Sequence, residues 1–185
     1  LDLDATVARA ERALDERVGP VAEVGEAESF PVPYYLATGC DTGGFSDAVA
    51  SRQAAGVAAG WDRALMRALG EALERYAAGV YTAADTESAP VDRDGAVGPS
   101  AFVAPDGTAP TGSIEWIEGT DLATGEPVAL PADVVVHPPR EPTVRPPLTT
   151  GLGLGVSVDG ALHAGLTEVI ERDGQFQRVV RRVPR

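Results

Sequence analysis

An α+β fold is predicted by three features of the sequence. Two helical stripes stand out, one over 62–78 with Leu65, Leu69, Ala72, Leu73 and Tyr76, the other from about Asp159 with Leu162, Leu166, Val169 and Ile170. Apolar residues recurring at this spacing line one face of a helix. Short β-leaning runs occupy much of the remainder, and two of them flank a Thr124-Gly125 step with hairpin-turn chemistry.

In chain order, Val7, Ala10, Leu14 and Val18 predict an amphipathic helix over 5–18, stopped by Gly19-Pro20. Strands are expected around Val21–Val24 and Val32–Thr38, the second held to an edge or to its first residues by Pro31 and Pro33. Gly39–Gly44 reads as a turn. The helix over 62–78 takes Asp62 as its N-cap and Gly79 as its stop. Residues 83–112 are rich in Ala, Pro, Gly, Asp and Thr, with few large apolar side chains, which predicts an irregular solvent-facing excursion. Ile114–Ile117 and Pro127–Leu130 are the better strands, Val134–Val136 is a third apolar run, and Pro138 to Pro147 crosses in extended form. A glycine ladder, Gly151, Gly153 and Gly155, leads into the last helix.

The chain has 185 residues, enough for one domain with a buried core, and no apolar run of the length that spans a bilayer. A single cysteine, Cys40, excludes a disulfide framework, and a reducing, cytoplasmic protein is expected. Cys40 has no nearby histidine to serve as base and reads as a structural thiol. His137 and His163 are too far apart for a metal motif, and the glycine ladder lacks dinucleotide-binding spacing. Acids number 28 against 15 cations, all Arg, for a net charge of −13; Lys and Asn are absent. Such a surface repels phosphate backbones, which argues against a nucleic-acid partner, and no membrane partner is expected. The same composition fits a salt-adapted, haloarchaeal-like protein, or alternatively a GC-rich genome.

Both confident helices carry one motif, L-x-E-x-x-E-R, at Leu69-Gly70-Glu71-Ala72-Leu73-Glu74-Arg75 and at Leu166-Thr167-Glu168-Val169-Ile170-Glu171-Arg172. In each copy the two glutamates share one side of the helix, and the first has Arg at i+4. Taken singly, such pairs are routine surface decoration. Taken twice, 97 positions apart, they suggest four carboxylates (Glu71, Glu74, Glu168 and Glu171) offering hard oxygens to Mg²⁺, with Arg75 and Arg172 placed for phosphate.

Through these motifs the chain resembles the YcaO family. Trp116-Ile117-Glu118-Gly119-Thr120-Asp121-Leu122-Ala123-Thr124-Gly125-Glu126 looks like the family's W-x-x-G-x-D-L-x-T-G-E segment, and Thr149-Thr150-Gly151-Leu152-Gly153-Leu154-Gly155 looks like its T-S-N-G-L-A-x-G loop. The resemblance covers residues 5–173. It implies an α+β fold with a mixed sheet, binding of ATP and Mg²⁺ by Glu71, Glu74, Glu168 and Glu171 with Arg75, Arg172 and Thr150, and activation of peptide backbone amides to azolines or thioamides. It further implies a peptide or protein substrate, a leader-peptide-binding partner protein and a homodimer. The alternatives are an accessory factor for ribosomal-protein methylthiolation and an inactive peptide-binding remnant. Departures are Arg67, where the family often has Ser, Thr150 in place of the loop Asn, and Gly56-Val57-Ala58 in place of G-K-G.

Residues 1–173 are read as the N-terminal part of such a domain, incomplete at its C-terminus, and 174–185 as a basic tail. Net charge passes from −17 over 1–173, with 11 Arg against 28 acids, to +4 over the tail. A frameshift or truncated reading frame is the expectation, with a tail docked on an acidic surface as its alternative.

Overall fold

In the computed structural model, residues 3–102, 110–140, 144 and 148–182 are described. The α+β expectation holds, with the strands in two antiparallel three-stranded sheets. The chain divides into two compact units, one of Leu1–Cys40, Arg52–Glu74 and Thr149–Arg185, the other of Asp41–Ser51 and Arg75–Leu148.

The first unit begins with α1 (Leu3–Ala10), followed by a 3₁₀ turn over Glu11–Ala13. The helix therefore ends well before the expected Val18. The Asp15 carboxylate explains the stop, because it accepts hydrogen bonds from the backbone N–H groups of Arg17 (2.8 Å) and Val18 (3.1 Å), offering the chain a turn in place of another helical step. Leu14 then bridges to Val21, and Val18 is left 87% exposed.

The sheet of this unit runs β1 (Val21–Glu26), β2 (Tyr34–Gly39), β3 (Gln53–Val57), with β2 central and a bulge between Val21 and Glu23. Pro31 and Pro33 stand before β2, as their missing N–H groups require. Strand β3 was not expected, because Gln-Ala-Ala-Gly-Val has little branched or aromatic character. Its inward residues are Ala54 and Gly56. They face α2 (Trp61–Gly79), whose buried residues here are Ala64, Ala68, Leu69 and Ala72. The helix opens on the Gly60 carbonyl, which accepts from Ala64 N–H at 3.0 Å, so Asp62 lies inside the first turn and does not cap it. There it still meets the positive end of the helix dipole.

The last helix, α3 (Val158–Arg182), follows the glycine ladder and continues through most of the basic tail. Its amphipathic stripe is largely uncovered: Leu162, Leu166, Val169 and Ile170 are all exposed. What α3 packs against is the ladder itself. A Cβ on Gly153 would lie 2.2 Å from the Ala161 carbonyl oxygen and 2.6 Å from Gly165 N.

The second unit centres on β4 (Glu87–Pro90), β5 (Ser113–Thr120) and β6 (Pro127–Pro131), in that order and antiparallel. Strand β4 corrects the irregular reading of 83–112. It pairs with β5 along the backbone, and the buried Trp116 indole N–H of β5 adds a bond to Ala89 O of β4 at 3.2 Å. Residues 103–109 of that stretch lie outside the described residues. The β5–β6 hairpin is as expected: Gly125 takes φ 78°, and the Asp121 carboxylate collects Ala123 N–H (2.8 Å) and Thr124 N–H (3.1 Å). Val134–Val136 does not form a strand; a 3₁₀ turn covers Ala132–Val134, and the Asp133 carboxylate accepts from Val144 N–H at 2.7 Å. The expected extended crossing up to Pro147 falls partly outside the described residues. No helix among the described residues is long and apolar enough to cross a membrane.

The two repeated helices thus differ in burial at matched positions. Leu69 is 0% exposed, whereas Leu166, 97 positions on, is 51% exposed. Leu69→Ala should lower stability by about 2–5 kcal/mol and Leu166→Ala by less than about 1 kcal/mol, read from urea-unfolding midpoints. Equal losses would mean that α3 is buried in solution.

Candidate functional site

Six of the seven residues singled out from the sequence fall in the first unit: Glu71, Glu74, Thr150, Glu168, Glu171 and Arg172. The seventh, Arg75, belongs to the second unit, where its guanidinium donates to Ser51 Oγ at 3.3 Å.

The first glutamate of each motif is fixed by backbone. Glu71 Oε2 accepts from Ala55 N–H of β3 at 2.9 Å, and Glu168 Oε2 accepts from Gly151 N–H at 3.0 Å. Each bond ties a helix carboxylate to the segment that precedes the helix, strand β3 for Glu71 and the turn at Gly151 for Glu168. Glu168 also pairs with Arg172 through Oε1, at 2.8 Å, the i+4 partner expected from spacing. Glu171 Oε1 accepts from Gln175 Nε2 at 3.1 Å. Thr150 is half-buried beside the left-handed Gly151, which has φ 93°.

Glu74 lines a groove of about 810 Å³ in the same unit, together with Arg9, Arg63, Arg67, Met66 and Leu154. Arg67 Nη1 donates to Val57 O at 2.6 Å, which draws its guanidinium to the end of β3. Neither Arg9 nor Arg63 was singled out from the sequence. A lone arginine on each of two helices has no signature until the fold puts both on one groove.

Among the described residues, no three His, Cys, Asp or Glu side chains stand close enough together to hold a metal ion. The four carboxylates are therefore not a ready-made cage. Mg²⁺ does not ask for one: it keeps several waters and is commonly held by one or two carboxylates plus substrate phosphates. Hard carboxylate oxygens in pairs, with guanidinium groups beside them, fit a cation that arrives with a polyphosphate.

In the second unit, the His137 imidazole is held below its ordinary value of 6.5, first by burial and then by the Arg75 guanidinium. Its Nδ1 is buried with no hydrogen-bond partner among the described residues, which also disfavours a second proton there. Burial likewise raises the Tyr81 hydroxyl, against an opposing influence of Arg140, and that hydroxyl donates to Pro138 O at 2.8 Å. Because folded His137 binds its proton more weakly than the unfolded chain does, its contribution to stability is complete above about pH 6.5 and is lost as the pH falls below that. His137→Phe should flatten the decline in stability between about pH 7 and pH 5, measured by urea unfolding; an unchanged slope would assign the decline to carboxylates.

Residues 55–185 match the family described as YcaO cyclodehydratase, binding ATP and Mg²⁺. A protein of Methanothermobacter thermautotrophicus described as uncharacterized is 36% identical over 136 residues, covering 71% of this chain and 35% of its own length. The structure of YcaO from Methanopyrus kandleri bound with AMPPCP and Mg²⁺ aligns with TM-score 0.69 and 28% identity, over 94% of this chain and 43% of that one. A heterocyclase in complex with substrate and cofactor aligns with TM-score 0.71 at 20% identity, over 93% of this chain and 27% of that one, and shows the shared fold. The chain thus spans less than half the length of each of these proteins. With most of its residues inside the family match, including both carboxylate helices, the chain belongs to the YcaO family.

Proposed function

We propose that this chain binds MgATP at the carboxylates of its first unit, as part of a YcaO protein that activates backbone amides of a peptide or protein substrate. The observation that carries the reading is the pair of backbone-fixed glutamates, Glu71 and Glu168, at 2.9 and 3.0 Å from their donors. The match to a family described as binding ATP and Mg²⁺, and the likeness to a YcaO structure bound with AMPPCP and Mg²⁺, support it. Bound ATP would supply the phosphoryl group that turns the amide oxygen into phosphate as leaving group, once a Cys, Ser or Thr side chain or a sulfide has added to the carbonyl carbon, to give an azoline or a thioamide.

The chain's own residues do three things. Glu71, Glu74, Glu168 and Glu171 present carboxylate oxygens to Mg²⁺. Arg172 is drawn off Glu168 toward phosphate oxygens, which is cheap, since an exposed i,i+4 ion pair is worth only about 0.3–0.5 kcal/mol. Thr150 offers a hydroxyl beside the Gly151 turn. The groove next to Glu74, at about 810 Å³, has room for a nucleoside.

The test is calorimetric titration of the folded chain with Mg·AMPPCP in concentrated KCl, suited to its net charge of −13. Saturable binding is expected, weakened about tenfold or more in both Glu71→Gln and Glu168→Gln. Absence of binding by a chain that shows native circular dichroism would overturn the reading and leave a non-binding remnant.

A further inference from the structure

The repeat seen in the sequence as two glutamate motifs extends, in the structure, to the segment that leads into each helix, which is strand β3 before α2 and the irregular glycine ladder before α3. Helix α2 begins at Trp61 and α3 at Val158, the same offset of 97 that separates Glu71 from Glu168. Gly56 and Gly153 share that offset, and both lie flush against backbone of the following helix. A Cβ on Gly56 would stand 2.1 Å from Ala64 O and 2.4 Å from Ala68 N; one on Gly153 would stand 2.2 Å from Ala161 O and 2.6 Å from Gly165 N. The touched residues, Ala64 with Ala161 and Ala68 with Gly165, again differ by 97. The donors to the glutamates are Ala55 and Gly151, one residue out of step, and Gly151 is the one with positive φ.

We propose that Gly56 and Gly153 are positioning residues that set the first glutamate of each motif in place, an inference that rests on reading those glutamates as Mg²⁺ ligands. Neither glycine has a positive φ, so what each supplies is the absence of a side chain and not an unusual backbone angle. The atoms in the way are backbone atoms of a helix and cannot rotate aside. Adding a Cβ therefore drives the segment back by about 1 Å, since real Cβ contacts begin near 3.0 Å. That retreat stretches a bond of 2.9 or 3.0 Å past the ~3.5 Å limit of hydrogen bonding. The carboxylate is then free to rotate, and a ligand must order it anew.

Two measurements test this on the full chain. Amide hydrogen exchange read by NMR should show that Gly56→Ala, like Glu71→Ala, removes the protection of Ala55 N–H and spares that of Gly151, while Gly153→Ala and Glu168→Ala do the reverse; unchanged exchange in either glycine variant overturns the proposal, whether or not the chain binds nucleotide. In Mg·AMPPCP titrations, Gly56→Ala should weaken binding about tenfold, as a lost hydrogen bond to a charged group does. The double variant Gly56→Ala/Glu71→Gln should bind no more weakly than Glu71→Gln alone, whereas Gly56→Ala/Glu168→Gln should show additive losses. Additivity with Glu71→Gln as well would mean a merely structural glycine and would overturn the proposal. Gly25→Ala, in β1 with nothing within 4 Å, serves as the neutral comparison. Should Gly56→Ala fail to fold, Ala55→Pro removes the donor itself, on an edge strand where proline is tolerated, and full-strength binding by that variant overturns the proposal. If the parent binds no nucleotide, the functional reading fails and the exchange measurement still decides the positioning roles.

Discussion

The first unit depends on backbone meeting backbone at Gly56. With 2.1 Å separating an imagined Cβ there from Ala64 O, the strand and helix lie as close as two main chains can without a side chain between them. The rest of this core follows from that spacing. Its helix contributes Ala64, Ala68 and Ala72 and its sheet contributes Ala37 and Ala54, small residues that suit so close an approach. Leu69 and Val21 are the large exceptions, both fully buried. An alanine-lined interface gives up hydrophobic area per residue and gains dense packing, in which even one added methyl group is felt.

Closeness has a second effect, on polar groups. An edge strand ordinarily leaves alternate N–H groups to solvent. Here Ala55 N–H finds Glu71, so a free edge donor and a helix carboxylate satisfy each other. The bond spans 16 residues of sequence and involves no side chain on its donor side. For this reason spacing in the sequence could reveal that Glu71 and Glu168 are equivalent, yet not what holds either one.

What could be read from the sequence was whatever side-chain pattern dictates. The α2 stripe, the Asp121–Gly125 hairpin and the doubled glutamate motif are all local arrangements of residue type, and the structure contains each of them. Strands β3 and β4 were not legible, since Gln53–Val57 and Glu87–Pro90 are defined by the partners their backbones pair with and not by their own side chains. The length of α1 was overestimated because an apolar residue at the right interval, Val18, outweighed the local pull of Asp15 on two N–H groups. The α3 stripe was legible as helix but not as surface. Periodicity tells which face of a helix is apolar; it does not tell what covers that face.

The comparison of α2 with α3 separates two causes that usually act together. Leu69 is fully buried and its counterpart Leu166 is half exposed, so the two helices do not share a core environment. Even so, the approach of the preceding segment to the helix is nearly the same, 2.1 Å against 2.2 Å at the matched carbonyls, and the carboxylate bonds differ by only 0.1 Å, at 2.9 and 3.0 Å. Burial of the helix stripe is therefore not what sets the geometry of the motif. The geometry is local: a residue without a side chain on the segment, alanine or glycine on the helix beneath it, and a glutamate one turn further on within reach of the segment's N–H. A unit with that self-sufficiency can be used twice in one chain while the surroundings of the two copies diverge. It also explains why the doubled glutamates survive as a sequence pattern where almost nothing else of the repeat does, since alanine and glycine in an alanine-rich chain carry little signal.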